Sequence, residues 1–138
     1  GLLFITKSVS NLMIKNGSGH IINVGSVAGR EVYPNGNVYC ATKFAVNALT
    51  KAMRVELYDK NIRVTTVDPG MVETEFSLVR FDGDEERAKN VYKGMTPLSP
   101  ADIADTIIFC ATRPAHVNIS EVVIYPSDQA NTTTVKRS

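Results

Sequence analysis

Apolar residues at positions 2, 5, 9, 12 and 13 recur with a helical period, which predicts a helix over residues 2–16. Gly17-Ser18-Gly19 follows and reads as a turn from helix to strand. Residues 20–25 form a short apolar run without polar alternation, the pattern of a strand covered on both faces. A loop over residues 26–36 is punctuated by Gly29, Pro34 and Gly36. Residues 37–59 read as a long helix, with small Ala41, Ala45 and Ala48 allowing close packing and Val46, Leu49, Met53 and Leu57 extending its apolar surface. Residues 62–67 make a second strand, stopped by Pro69-Gly70. Residues 71–98 are charged and weakly periodic, with a short surface helix suggested at Glu85–Lys89; so long an excursion is the kind that carries function. Ser99-Pro100-Ala101-Asp102 opens a further helix, with serine as N-cap and proline at the first position, running to about Thr112. Glu121–Tyr125 is a third strand, and the remaining residues are expected to be disordered.

Helices and strands thus alternate, which implies parallel strands joined by right-handed crossovers, an α/β architecture. Three strands make a narrow sheet with one bare edge. The composition, 43% hydrophobic and 21% charged, is that of a globular chain. A net charge of +1 with no Lys/Arg-rich block speaks against a nucleic-acid partner. No apolar run reaches the roughly 18 residues that span a bilayer. Gly1–Ile5 lacks the charged start and cleavage site of an export signal, so a cytoplasmic location is expected. Cys40 and Cys110 fall in predicted helices among apolar neighbours and read as buried free thiols, a single disulfide being the alternative. Neither they nor His20 and His116 have metal-ligand spacing, and both histidines read as structural.

The chemistry begins with Tyr39-Cys40-Ala41-Thr42-Lys43. On a helix, Tyr39 and Lys43 share one face, roughly 5–6 Å apart at Cβ. Opposite charges about 4 Å apart at an effective dielectric near 20 attract by about 4 kcal/mol. That energy is worth about 3 pKa units, enough to bring a phenol towards the working range of a general acid/base. Ser26, at the end of the first predicted strand, supplies a hydroxyl that could orient a carbonyl or an alcohol.

Ser26, with Tyr39 thirteen positions on and Lys43 four beyond, resembles the signature of the short-chain dehydrogenases/reductases. The surrounding strings agree: Gly19-His20-Ile21-Ile22-Asn23-Val24-Gly25-Ser26-Val27-Ala28-Gly29, Tyr39 to Val46, and Asn61-Ile62-Arg63-Val64-Thr65-Thr66-Val67-Asp68-Pro69-Gly70-Met71-Val72-Glu73-Thr74. Within that family, Thr74 to Phe81 followed by Gly83-Asp84, and Pro114 to Ile119, resemble the NADP-dependent 3-hydroxy acid (serine) dehydrogenases.

The resemblance implies an α/β fold, the C-terminal part of a Rossmann-like doubly wound parallel sheet with three strands here and helices on both faces. It implies that Tyr39 is the general acid/base, that Lys43 lowers the tyrosine pKa and holds the nicotinamide ribose, and that Ser26 bonds the reacting oxygen. Pro69, Gly70, Val72 and Thr74 join Tyr39 and Lys43 as cofactor contacts, with NADP favoured over NAD. Arg80 is the candidate for a substrate carboxylate, since a guanidinium can bind one bidentately. The substrate is expected to be a 3-hydroxy acid such as serine, or its semialdehyde. Helices 2–16 and 37–59 are the expected contacts of a homodimer or homotetramer. One departure stands out: no Gly-rich turn follows a strand to cradle a pyrophosphate. Residues 1–138 therefore read as the C-terminal part of a single Rossmann domain, with residues 71–98 as its substrate-loop insertion. The alternatives are a reductase of the same family acting on a 3-oxoacyl or sugar carbonyl, and a truncated, non-catalytic interaction module.

Overall fold

The computed structural model describes residues 1–138. Helix α1 (Leu2–Lys15) ends where Gly17 takes a left-handed φ of 76° and turns the chain into strand β1 (Gly19–Val24). A single tight turn at Val27–Gly29 leads to the long helix α2 (Asn37–Leu57). Asn61, at φ 57°, reverses the chain into strand β2 (Ile62–Pro69), a left-handed position that asparagine tolerates better than most residues. Helices α3 (Phe76–Arg80) and α4 (Glu85–Asn90) lie within the excursion. Helix α5 (Pro100–Ala111) starts on a reciprocal cap: Ser99 Oγ accepts from the Asp102 amide, and Asp102 accepts from the Ser99 amide at 2.7 Å. Strand β3 (Glu121–Ile124) completes the sheet.

All three strands are parallel, in the order β1-β2-β3, as the alternation of elements predicts. Register places Ile21 beside Val64 and Ile22 beside Thr65. Alternate residues then face opposite sides. Met53, Ile62 and Val64 form a core beneath α1 and α2, with Leu2, Met13, Ile21, Leu49 and Leu57 packed on it. Val67, Ile103 and Cys110 form a second core beneath α5. Helices thus cover both faces, and central β2 is buried almost throughout.

Two expectations need correction. The excursion carries the additional helix α3, whose five residues are too few to show a period. The C-terminal residues are not disordered but folded back on the molecule. The Lys136 amide donates to Asp128 O at 2.7 Å, Gln129 and Val135 form an antiparallel bridge, and the Ser138 amide donates to Gly94 O at 2.9 Å. The guanidinium of Arg137 bonds the carbonyls of Val91 and Lys93. A polar tail without apolar periodicity is ordered here by hydrogen bonds that its sequence does not advertise. Cys40 and Cys110 are both free thiols and both buried.

Candidate functional site

Strand β1 ends at Val24, and the Gly25 amide carries its ladder one bond further, to Val67 O at 2.8 Å. No side chain fits at Gly25, because a Cβ there would run into the Asp68 carboxylate. Ser26 is buried and extended, and its Oγ accepts from the Ala28 amide at 3.1 Å, which fixes the serine as the cap of the turn after the strand.

The first turns of α2 bring Tyr39 and Lys43 to the same place. Lys43 Nζ donates to Gly25 O at 3.0 Å and to Val24 O at 3.3 Å, and lies 5.8 Å from the centre of the Tyr39 ring. The Tyr39 ring packs on Phe76 with centroids 5.4 Å apart. Burial pushes the Tyr39 phenol above its ordinary value, the Ser26 hydroxyl draws it partly back, Tyr33 adds to the rise and Arg80 opposes it. Burial likewise lowers the Lys43 ammonium, while the charge of Asp68 supports it. The expected downward pull of Lys43 on the phenol is not what governs Tyr39 here: the ammonium is engaged by two carbonyls and burial dominates.

At the end of β2, the Gly70 amide donates to Ile124 O at 2.7 Å and the Met71 amide to Gln129 Oε1 at 2.8 Å. Val72 pairs with Leu98 in an isolated parallel bridge that closes the base of the excursion. Its carbonyl accepts from the Tyr92 hydroxyl at 2.8 Å. Just ahead of α3, Thr74 Oγ1 accepts from the Phe76 amide at 3.2 Å. Arg80 donates from Nη1 to the Tyr33 hydroxyl at 3.3 Å, with its guanidinium 5.5 Å from the centre of that ring.

One pocket of about 360 Å³ has Ser26, Tyr39, Lys43, Pro69, Gly70, Val72, Thr74 and Arg80 all in its walls. It opens beyond the C-terminal ends of β1 and β2, where open parallel sheets bind ligands. Among the wall residues that the sequence reading did not single out are Tyr33, Phe76, Tyr92 and Gln129. Each lies in a loop, the excursion or the tail, where no period marks a facing direction. It also passed over Asp68, fully buried below the pocket and paired with Arg30 at 2.7 Å, whose guanidinium also reaches Glu121 at 2.5 Å. Burial raises the Asp68 carboxyl, and Arg30 opposes the rise. Only the hydrophobic company of Asp68 in β2 hinted at its depth. His20 lies outside the pocket, with Nε2 2.8 Å from Thr65 Oγ1, in keeping with a structural role.

An ammonium, a phenol and the backbone of a Pro-Gly turn around one pocket fit the nicotinamide-ribose end of a dinucleotide. The chain has no Gly-rich turn after a strand to match the pyrophosphate.

A parallel sheet covered on both faces, with a Tyr–Lys pair reaching a pocket at its C-terminal edge, defines an α/β protein with a ligand pocket where open parallel sheets place theirs. Residues 1–84 match the short chain dehydrogenase family, and the chain belongs to that family. It is 47% identical to the NADP-dependent 3-hydroxy acid dehydrogenase of Schizosaccharomyces pombe, over 99% of this chain and 53% of that protein. It is 42% identical to the serine 3-dehydrogenase of Agrobacterium fabrum, over 94% of this chain and 52% of that protein. Among solved structures, a closed form of serine dehydrogenase complexed with NADP+ superposes with a TM-score of 0.93 at 40% identity, over 99% of this chain and 56% of that one. The chain thus spans about half the length of the curated relatives it matches.

Proposed function

We propose that the protein bearing this chain is an NADP-dependent oxidoreductase that interconverts a 3-hydroxy acid such as serine and the corresponding semialdehyde. The observation that carries this reading is the meeting of Ser26, Tyr39, Lys43 and Arg80 around one pocket. When bound, the cofactor supplies or takes up a hydride. Ser26 Oγ orients the substrate oxygen. The Tyr39 hydroxyl gives that oxygen a proton in reduction and takes one from it in oxidation. Lys43 holds the ribose side of the cofactor and stiffens the end of β1 through its two carbonyl contacts. Pro69, Gly70, Val72 and Thr74 shape the nicotinamide wall. Arg80 takes the substrate carboxylate, and its position between the Tyr33 and Phe81 rings suits a guanidinium held ready at a pocket wall. The preference for NADP and for a hydroxy acid is supported by the names of the relatives.

Residues 1–138 belong, on this reading, to one Rossmann domain as its C-terminal part, with residues 71–98 closing over substrate. The exposed apolar side chains of α1 and α2, with Phe4 80% and Val55 73% exposed, support their use as homodimer or homotetramer contacts. A cytoplasmic location is part of the same proposal.

The test is turnover by the protein from its native source, with NADPH and a panel of carbonyl substrates. A semialdehyde bearing a carboxylate should be reduced fastest, and Tyr39→Phe should lower kcat by about 10²-fold or more while the fold is retained. Faster turnover of a 3-oxoacyl or sugar carbonyl would move the protein to another reductase of its family. Failure to bind any dinucleotide would leave a non-catalytic interaction module.

A further inference from the structure

The Pro69–Gly70 turn and the C-terminal segment are built against each other through one buried side chain, Gln129. It is 6% exposed and lines the pocket beside Gly70. Its amide is satisfied at both ends: Oε1 accepts from the Met71 amide at 2.8 Å, and Nε2 donates to Asn131 O at 3.0 Å. The absence of a side chain at Gly70 leaves room for this contact, because a Cβ there would meet Gln129 Oε1 and press on the Tyr125 ring.

Gln129 is itself held firmly. Its backbone amide donates to Pro126 O at 2.9 Å, and the adjacent Ala130 backbone amide to Thr134 O at 2.9 Å. Asp128, one residue earlier, accepts from the Thr96 amide at 2.9 Å, and so grips the returning limb of the excursion while Gln129 grips its departing limb at Met71. A buried amide with both ends paired has one low-energy orientation, because turning it would leave a donor facing a donor at Met71 and an acceptor facing an acceptor at Asn131.

We infer that Gln129 is a positioning residue for the cofactor. By fixing the Met71 amide and the plane of the Gly70 peptide, it sets the wall that receives the nicotinamide, while the adenosine side of the dinucleotide is untouched. The inference rests on the dinucleotide-binding reading above.

The test uses the full-length protein and two ligands, NADP+ and the same molecule lacking nicotinamide, together with amide hydrogen exchange at Met71. Gln129→Met keeps the length and removes the acceptor. It should weaken NADP+ about tenfold, the size of one lost buried hydrogen bond, and speed Met71 exchange, yet leave affinity for the nicotinamide-free fragment unchanged. Gln129→Glu keeps an acceptor at Oε1 and should retain Met71 protection. Should Gln129→Met not fold, Gln129→Asn keeps the amide but shortens its reach, and should show the same selective loss. Equal weakening of both ligands, or unchanged NADP+ affinity, would overturn the positioning role. A wild-type protein that binds neither ligand would overturn the dinucleotide reading itself and this inference with it, an outcome distinct from a wild type that binds both while the variants match it.

Discussion

Tyr39 reaches its pocket with a phenol held above the ordinary tyrosine range by burial. A phenol with a raised pKa stays protonated at neutral pH, so it is ready to donate in reduction and must be ionised before it can accept in oxidation. The rate of alcohol oxidation should therefore keep climbing into the alkaline range, while reduction declines only there; kcat/KM against pH in both directions checks this. The charge of Arg80 opposes the rise. Arg80→Ala should thus move the oxidation profile further alkaline and, separately, raise KM for a carboxylate substrate. Asp68 offers a second residue-scale outcome. It is fully buried, and Arg30, 28% exposed, is its counter-ion. Arg30→Ala would leave that carboxylate unpaired, at a cost of about 3 kcal/mol, the low end of the usual range because Arg30 is partly solvated. The folded-state pKa of Asp68 is already raised, and losing Arg30 raises it further. The folded protein then binds the proton more tightly than the unfolded chain does, so the deficit should shrink as pH falls towards the unfolded value of about 3.9. Urea denaturation of the variant at neutral and acid pH tests the sign.

At the scale of elements, the excursion between β2 and α5 is tied at its base by the Val72–Leu98 bridge and fastened from within by Tyr92. The Tyr92 hydroxyl bonds Val72 O and meets Ser77 Oγ at 2.9 Å, joining the base of the excursion to α3. Tyr92→Phe removes both bonds and should cost about 1 kcal/mol. The loss should show as faster amide exchange across residues 71–98, with β1 and β2 unaffected. Long elements were legible in the sequence: α2 shows its apolar spacing over six turns, and α5 announces its start through Ser99, Pro100 and Asp102. Helix α3 was not legible, since five residues hold little more than one helical turn. The ordered tail was not legible either, because Asp128, Gln129 and Arg137 act through polar contacts with residues at least 32 positions away.

Across the whole molecule, the two cores are unevenly sealed. No residue of α1 is buried, and Leu3, Phe4, Ile5 and Leu12 are each at least 59% exposed. On α2, Val38 and Val55 are exposed as well. If α1 and α2 form the subunit contact, the double variant Phe4→Glu, Val55→Glu should lower the assembled mass seen in sedimentation without altering the pocket. The order of elements, the parallel sheet, and Ser26, Tyr39 and Lys43 as the residues to watch all followed from the sequence alone. Hydrophobic periodicity is a local property of the chain, and a motif of fixed spacing on one strand end and one helix survives without knowledge of what lies opposite. Only the tertiary structure decided that the Tyr39 phenol is governed by burial rather than by Lys43. It alone put Asp68 beneath Gly25, stacked Arg80 on Tyr33, and fastened Gln129 to the turn after β2. Those facts depend on desolvation and on hydrogen bonds between distant segments, and neither is encoded in the spacing of residues along the chain.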